Sequence, residues 1–204
     1  MIEVSNVSVF NIDNAMRGMR NPKNSWHKND TVDGIIGPND MKLATALVKA
    51  GEPHCKFLRQ IFVSMDINAP LYWWKEMDTY KVGTTTNSTS TMHKLSDTPI
   101  TRDCFSIDND TFHEYGDYAS IKNMIDYLEK LRIKYLETGD MGYWVALIQL
   151  LPESWNQKRT WTADYAVLRN IYTWRKNHKL VEWRDFCGEI EKLPNSELIT
   201  LKGE

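Results

Sequence analysis

The chain has 204 residues with 25 Lys plus Arg against 27 Asp plus Glu, a formal net charge of −2. That balance gives no electrostatic basis for a nucleic-acid scaffold, and 42% apolar with 25% charged residues excludes a disordered chain. No stretch approaches the ~18 consecutive apolar residues of a membrane span, and Met1–Ser5 lacks the basic and apolar segments of a signal peptide. A soluble, cytoplasmic, mixed α/β protein is expected, with residues 1–204 forming one domain around a central sheet flanked by helices.

In chain order, Val7 and Val9 alternate with Asn6 and Ser8, which predicts a first strand. Ala15 to Asn24 opens helically and then breaks into an Asn-, Pro- and Lys-rich loop that runs on through Gly34, Gly37 and Pro38. Asn39 or Asp40 can cap a helix from Met41 to Ala50, stopped by Gly51. Ile61 to Ile67 alternates with period two, a half-buried strand. Asn68-Ala69-Pro70 then predicts a helix over 70–81, followed by a polar loop from Gly83 through Thr91. Ile121, Met124, Ile125, Leu128, Leu131, Tyr135 and Leu136 define a long amphipathic helix closed by Gly139, with Asp126 and Lys130 able to pair outside. Tyr143 to Leu151 is an apolar run ended by Pro152. A helix is expected over 162–175, and a last one joins Leu180, Trp183, Cys187 and Ile190.

The three cysteines, Cys55, Cys104 and Cys187, are far apart and odd in number, so neither a disulfide framework nor a metal site is expected. The five histidines are scattered, and no phosphate loop, dinucleotide fingerprint or nucleophile elbow is present. Two weaker constellations remain. Lys75 and Lys81 lead into the hydroxyl-rich segment 84–91, which suits either a phosphate and pyrimidine edge or a solvated loop. Arg175 lies among Tyr172 and Trp174, where it can bind an anion or a uracil carbonyl, or pack on Trp174 as a cation–π partner.

Taken together, these residues resemble the flavin-dependent thymidylate synthases. Leu151-Pro152, Trp161-Thr162, Leu168-Arg169-Asn170 and Arg175 follow that family's order, as does Glu182-Trp183. Upstream, His54 falls on a flavin-contacting histidine, Lys75-Glu76 on Arg-Gln, and Thr79-Tyr80-Lys81 on Arg-His-Arg. Ser90-Thr91-Met92 falls on Ser-x-Arg, and Ser88 stands in place of an acidic residue. The departures share one direction: Thr79, Lys81, Met92 and Ile148 all replace arginine, and no arginine lies between Arg59 and Arg102.

The resemblance implies FAD as cofactor, with NADPH and methylene-tetrahydrofolate as co-substrates in the reductive methylation of dUMP or a related pyrimidine nucleotide. It implies active sites shared between subunits of a homotetramer. Arg175 and Ser90 would serve the reaction. Lys75, Glu76, Ser90 and Arg175 would hold the nucleotide, while His54, Thr79, Tyr80, Lys81, Ser88 and Asn170 would contact flavin. Because guanidinium forks grip anionic ligands more tightly than lysines do, the resemblance also allows an alternative, an altered or inactive nucleotide- or flavin-binding protein that keeps the fold.

Overall fold

The computed structural model describes residues 2–108 and 113–201. It is mixed α/β, as expected, and its organising element is a four-stranded antiparallel sheet. The strands are β1 (Glu3–Phe10), β2 (Phe62–Pro70), β3 (Thr85–Ser88) and β4 (Asn156–Asp164), in the order β1-β2-β4-β3. The alternation at 61–67 is the sheet's central signal. Val63, Met65, Ile67 and Ala69 are buried on one face, while Ser64, Asp66 and Asn68 are only half-buried on the other.

Two strands were invisible to periodicity. β4 pairs with β2 from Phe62↔Asp164 to Pro70↔Asn156, but two of its four inward positions are the polar Gln157 and Arg159. Both are satisfied there. Gln157 donates to the Thr89 carbonyl at 2.8 Å, and Arg159 donates to Asp78 at 2.8 Å while lying 4.3 Å from the Trp74 ring centroid. β3 lies inside the expected polar loop. All four of its residues are exposed, so no apolar alternation marks it, and only pairing with β4 makes it a strand. The helix expected over 162–175 accordingly begins at Tyr165, because Asp164 ends β4 and caps the helix by accepting from Val167 N at 2.9 Å.

Asp66 ties three strands together. It accepts from Thr160 Oγ1 at 2.6 Å and Asn6 Nδ2 at 2.8 Å, with Lys158 Nζ 3.2 Å away. The Thr160 bond, then those from Asn6 and Lys158, hold its carboxyl down to about 2. An unfolded aspartate titrates near about 3.9, so this contribution is complete above that value and is lost as pH falls toward 2. Asp66→Asn should therefore flatten the acid limb of the urea-midpoint-versus-pH curve in that window; an unaltered limb would contradict the assignment.

One face of the sheet is covered by α1 (Ile12–Gly18), α2 (Pro38–Lys49), α3 (Leu71–Met77), α7 (Tyr165–Arg175) and α8 (Val181–Glu191). Four of the eight tryptophans, Trp73, Trp74, Trp161 and Trp183, are fully buried in this core, and Trp73 meets Trp74 and Trp183 with ring centroids 4.9 and 4.8 Å apart. A second cluster joins the antiparallel pair α5 (Tyr118–Thr138) and α6 (Met141–Leu150) to Leu95, Ile100 and Phe105. Gly139 ends α5 at φ 68°, a left-handed position that glycine adopts without strain. On the outer face Asp126 pairs with Lys122 at 2.5 Å, rather than with the expected Lys130. The short α4 (Thr91–Lys94) and α9 (Glu197–Thr200) complete the helices named here.

α2 corrects the expected capping. Its N-cap is Gly37, and the first-turn amides of Asn39 and Asp40 donate to the Asp30 carboxylate at 2.8 and 2.9 Å. A Cβ on Gly37 would lie 2.3 Å from Asp30 Cγ, so a residue with no side chain is required for Asp30 to reach the helix. Asp40 is therefore inside the helix and fully buried, where it pairs with Arg20 at 2.5 Å.

All three cysteines are free. Burial pushes the Cys187 thiol up to about 12 and raises that of Cys55, so neither is a poised thiolate. Among the described residues no helix is long and apolar enough to cross a membrane, and no cluster of metal-ligating side chains occurs.

Candidate functional site

The central strand delivers the site. β2 runs directly into α3, whose first amides are taken by the 153–155 segment: Leu71 N donates to Trp155 O at 3.0 Å and Tyr72 N to Glu153 O at 3.1 Å. α3 lasts only seven residues instead of continuing to Lys81. Thr79 Oγ1 bonds back to the Glu76 carbonyl at 2.7 Å, Tyr80 N closes on Met77 O, and Gly83 turns the chain at φ 77°. Glu76 and Tyr80 are thereby presented on one side, toward the ends of α7 and α8.

There Arg175, from the last turn of α7, meets them. Its Nη1 donates to Glu76 Oε2 at 2.7 Å and its Nε to the Tyr80 hydroxyl at 2.9 Å. The guanidinium lies 4.6 Å from the Trp183 ring centroid and 5.7 Å from that of Tyr80. Trp183 Nε1 also donates to Glu76 Oε2 at 2.9 Å, and His178 Nε2 lies 3.7 Å from it. Thus the cation–π partners of Arg175 are Trp183 and Tyr80. Trp174, the candidate read from sequence, is 74% exposed and points the expectation the wrong way. Tyr80 and Lys81 also border a small cleft of about 210 Å³ with Thr84, Thr86 and Trp161.

Of the other candidates, only Thr79 adjoins this cluster. Lys75 is exposed and pairs with Glu153 at 2.6 Å. Thr79 is exposed beside Glu76. Ser88 is on the edge strand opposite Arg159, and Ser90 caps α4 by accepting from His93 N at 3.3 Å. Asn170 is exposed in the wall of a hollow of about 590 Å³ that includes Arg59, Arg169, Trp174 and Lys176. His54 lines a separate cavity of about 960 Å³ between α2 and the turns around 20–28 and 53–60. Within one chain, then, Glu76, Thr79, Tyr80, Lys81 and Arg175 are neighbours, whereas His54, Asn170 and the Ser88–Ser90 edge occupy three further places.

Sequence reasoning missed His178 as a neighbour of Glu76, and it missed the pairing of Arg20, which lines the 960 Å³ cavity, with the buried Asp40 behind it. Neither leaves a spacing signal, since each depends on chain segments far apart in sequence. The Glu182-Trp183 pair was legible only as part of the resemblance.

No protein-family model matches the sequence, and no curated protein matches it. Solved structures do. The crystal structure of flavin-dependent thymidylate synthase ThyX from Helicobacter pylori complexed with FAD and dUMP superimposes with a TM-score of 0.71 at 19% identity, covering 96% of each chain. A second structure of Helicobacter pylori ThyX with FAD and dUMP gives 0.73 at 17% identity, covering 97% of this chain and 96% of that one. Nearly end to end, this chain has the fold of flavin-dependent thymidylate synthase.

Proposed function

We propose that the chain is a divergent flavin-dependent thymidylate synthase-like enzyme that binds FAD and dUMP or a related pyrimidine nucleotide, with residues 1–204 acting as one domain. The observation that carries the proposal is the convergence of Glu76, Tyr80 and Arg175 at the junction of α3, α7 and α8, within a fold whose solved examples hold FAD and dUMP. Arg175 would polarise the pyrimidine and, with Lys75, Glu76 and Ser90, hold the nucleotide; Ser90 would face the reacting end. His54, Thr79, Tyr80, Lys81, Ser88 and Asn170 would contact FAD.

The residues present suit such a group. His54 and Asn170 line hollows large enough for ring systems, with basic side chains in both walls. Bound flavin would supply reducing power drawn from NADPH, and methylene-tetrahydrofolate the one-carbon unit. The chain's own residues would bind and orient.

A homotetramer fits the dispersal of these residues over separate hollows, because a site assembled from several copies can unite them. Exposed apolar side chains on α5 and α6, among them Leu136, Met141 and Leu150, supply surface that a neighbouring copy could cover.

A second reading, binding without catalysis, is favoured by one feature: Glu76 and Tyr80 already occupy the Arg175 fork, and Ser90 is used as a helix cap. Purified protein separates the two. The enzyme should be yellow, bind dUMP, and oxidise NADPH with formation of dTMP when methylene-tetrahydrofolate is added. Yellow protein that binds dUMP but forms no product would establish the second reading; colourless protein with no affinity for FAD or dUMP would end both.

A further inference from the structure

The two oxygens of Glu76 are used unequally. Oε2 receives Arg175 Nη1 at 2.7 Å and Trp183 Nε1 at 2.9 Å, with His178 Nε2 3.7 Å away. Because His178 Nδ1 accepts from Leu180 N at 3.2 Å, even a neutral His178 carries its proton on Nε2, beside the same oxygen. Oε1 receives no donor among the described residues. The side chains of Glu76 and Arg175 are 35% and 20% exposed, so a ligand can reach the pair.

The groups next to that oxygen have the opposite polarity. Arg175 Nε and Nη1 are taken by Tyr80 and Glu76, which leaves Nη2 without an acceptor among the described residues. The Tyr80 hydroxyl accepts from Arg175 and keeps its own proton to donate. Carboxylate and hydroxyl are held by different nitrogens of one guanidinium, so the guanidinium separates them. Along the cluster the order is therefore acceptor, donor, donor.

We propose that Glu76 selects a cytosine nucleotide, dCMP, over dUMP, an inference that rests on the nucleotide-site reading given above. The Watson–Crick edge of cytosine runs N4–H2, N3, O2, a donor followed by two acceptors, which complements that order. A carboxylate accepting from N4 is the pairing that distinguishes cytosine. Uracil runs acceptor, donor, acceptor. Its one donor, N3–H, stands between two carbonyls, so Glu76 Oε1 brought to it also meets a carbonyl oxygen, and two opposed acceptors leave both unpaired. The specificity comes as much from this mismatch as from the bond to N4.

The test is calorimetric titration of the full chain, with FAD supplied, against dCMP, dUMP and the deoxynucleotide of 2-pyrimidinone, which keeps N3 and O2 but lacks the amine. dCMP should bind at least about tenfold tighter than either, the loss expected when a charge-assisted hydrogen bond is removed. In Glu76→Gln the amide oxygen stays with Arg175 Nη1 and Trp183 Nε1, which are donors, so the NH2 group takes the place of Oε1. A donor then replaces the acceptor, and the ratio of dCMP to dUMP affinity should fall at least about tenfold. Three results would each overturn the inference and leave the nucleotide-site reading standing. They are dUMP binding as tightly as dCMP, the 2-pyrimidinone nucleotide matching dCMP, and an unchanged ratio in a Glu76→Gln protein with the parent's far-ultraviolet circular dichroism. Failure to bind either natural nucleotide would overturn both.

Discussion

Asp40→Ala should cost about 3–5 kcal/mol of folding stability, read as a fall in the urea midpoint with an unchanged slope. Asp40 is wholly buried and accepts from five donors: Arg20 Nε at 2.5 Å, Asn29 Nδ2 at 2.7 Å, Asp30 N at 3.0 Å, and Thr31 N and Oγ1 at 2.9 and 2.6 Å. Burial by itself would raise its pKa, but the Thr31 hydroxyl, the Asp30 amide and Arg20 outweigh that, so the carboxyl titrates below its ordinary range. Removing it leaves a buried guanidinium and a row of amides with no acceptor. Since whole domains are stable by only about 5–15 kcal/mol, such a loss is a large fraction of the total.

The partner experiment decides whether the pair or its geometry is at fault. Arg20→Met combined with Asp40→Leu removes both charges and should recover much of the loss, because no ion is then left uncompensated. Should Asp40→Ala alone shift stability by less than about 1 kcal/mol, the pair would be behaving like an exposed one and the account of the 20–31 loop would be wrong.

Trp183→Ala should be comparably damaging, about 3–5 kcal/mol, and should also disable the site. The indole is fully buried and packs on Trp73 at 4.8 Å and Phe186 at 6.3 Å. The Arg175 guanidinium also lies 4.6 Å from its ring centroid, and its Nε1 donates to Glu76. One side chain therefore joins the core to the proposed nucleotide site.

Trp183→Phe separates those two roles. It keeps an aromatic ring in the core but deletes the bond to Glu76, so the stability loss should be smaller, about 1–3 kcal/mol. Nucleotide affinity should fall further than FAD affinity, because Arg175 loses part of its support while the hollows lined by His54 and Asn170 are untouched. Equal falls in both affinities would show that the indole acts only through general packing.

How much of this was readable beforehand follows from where the information sits along the chain. β2 was legible because its inward residues are uniformly apolar, and α5 because its apolar stripe keeps helical spacing over 21 residues and ends at a glycine. β4 was not, because Gln157 and Arg159 occupy inward positions and are satisfied by Thr89 and Asp78, partners that only the folded sheet provides. α3 was overextended, since nothing in the local pattern announces that Thr79 will bond back to Glu76.

The site divides in the same way. Sequence order alone placed Glu76, Tyr80 and Arg175 in one resemblance, and the fold brings them within hydrogen-bonding distance. It could not reveal that Glu76 would take the Arg175 fork, nor that Arg20, twenty residues from Asp40, would be buried beside it at the wall of a cationic cavity. Local periodicity is written in neighbouring residues, so the chain by itself determined its longest helix, its central strand and its overall class. Charge pairing and cavity lining depend on segments as much as 107 residues apart, and those only the tertiary structure decided.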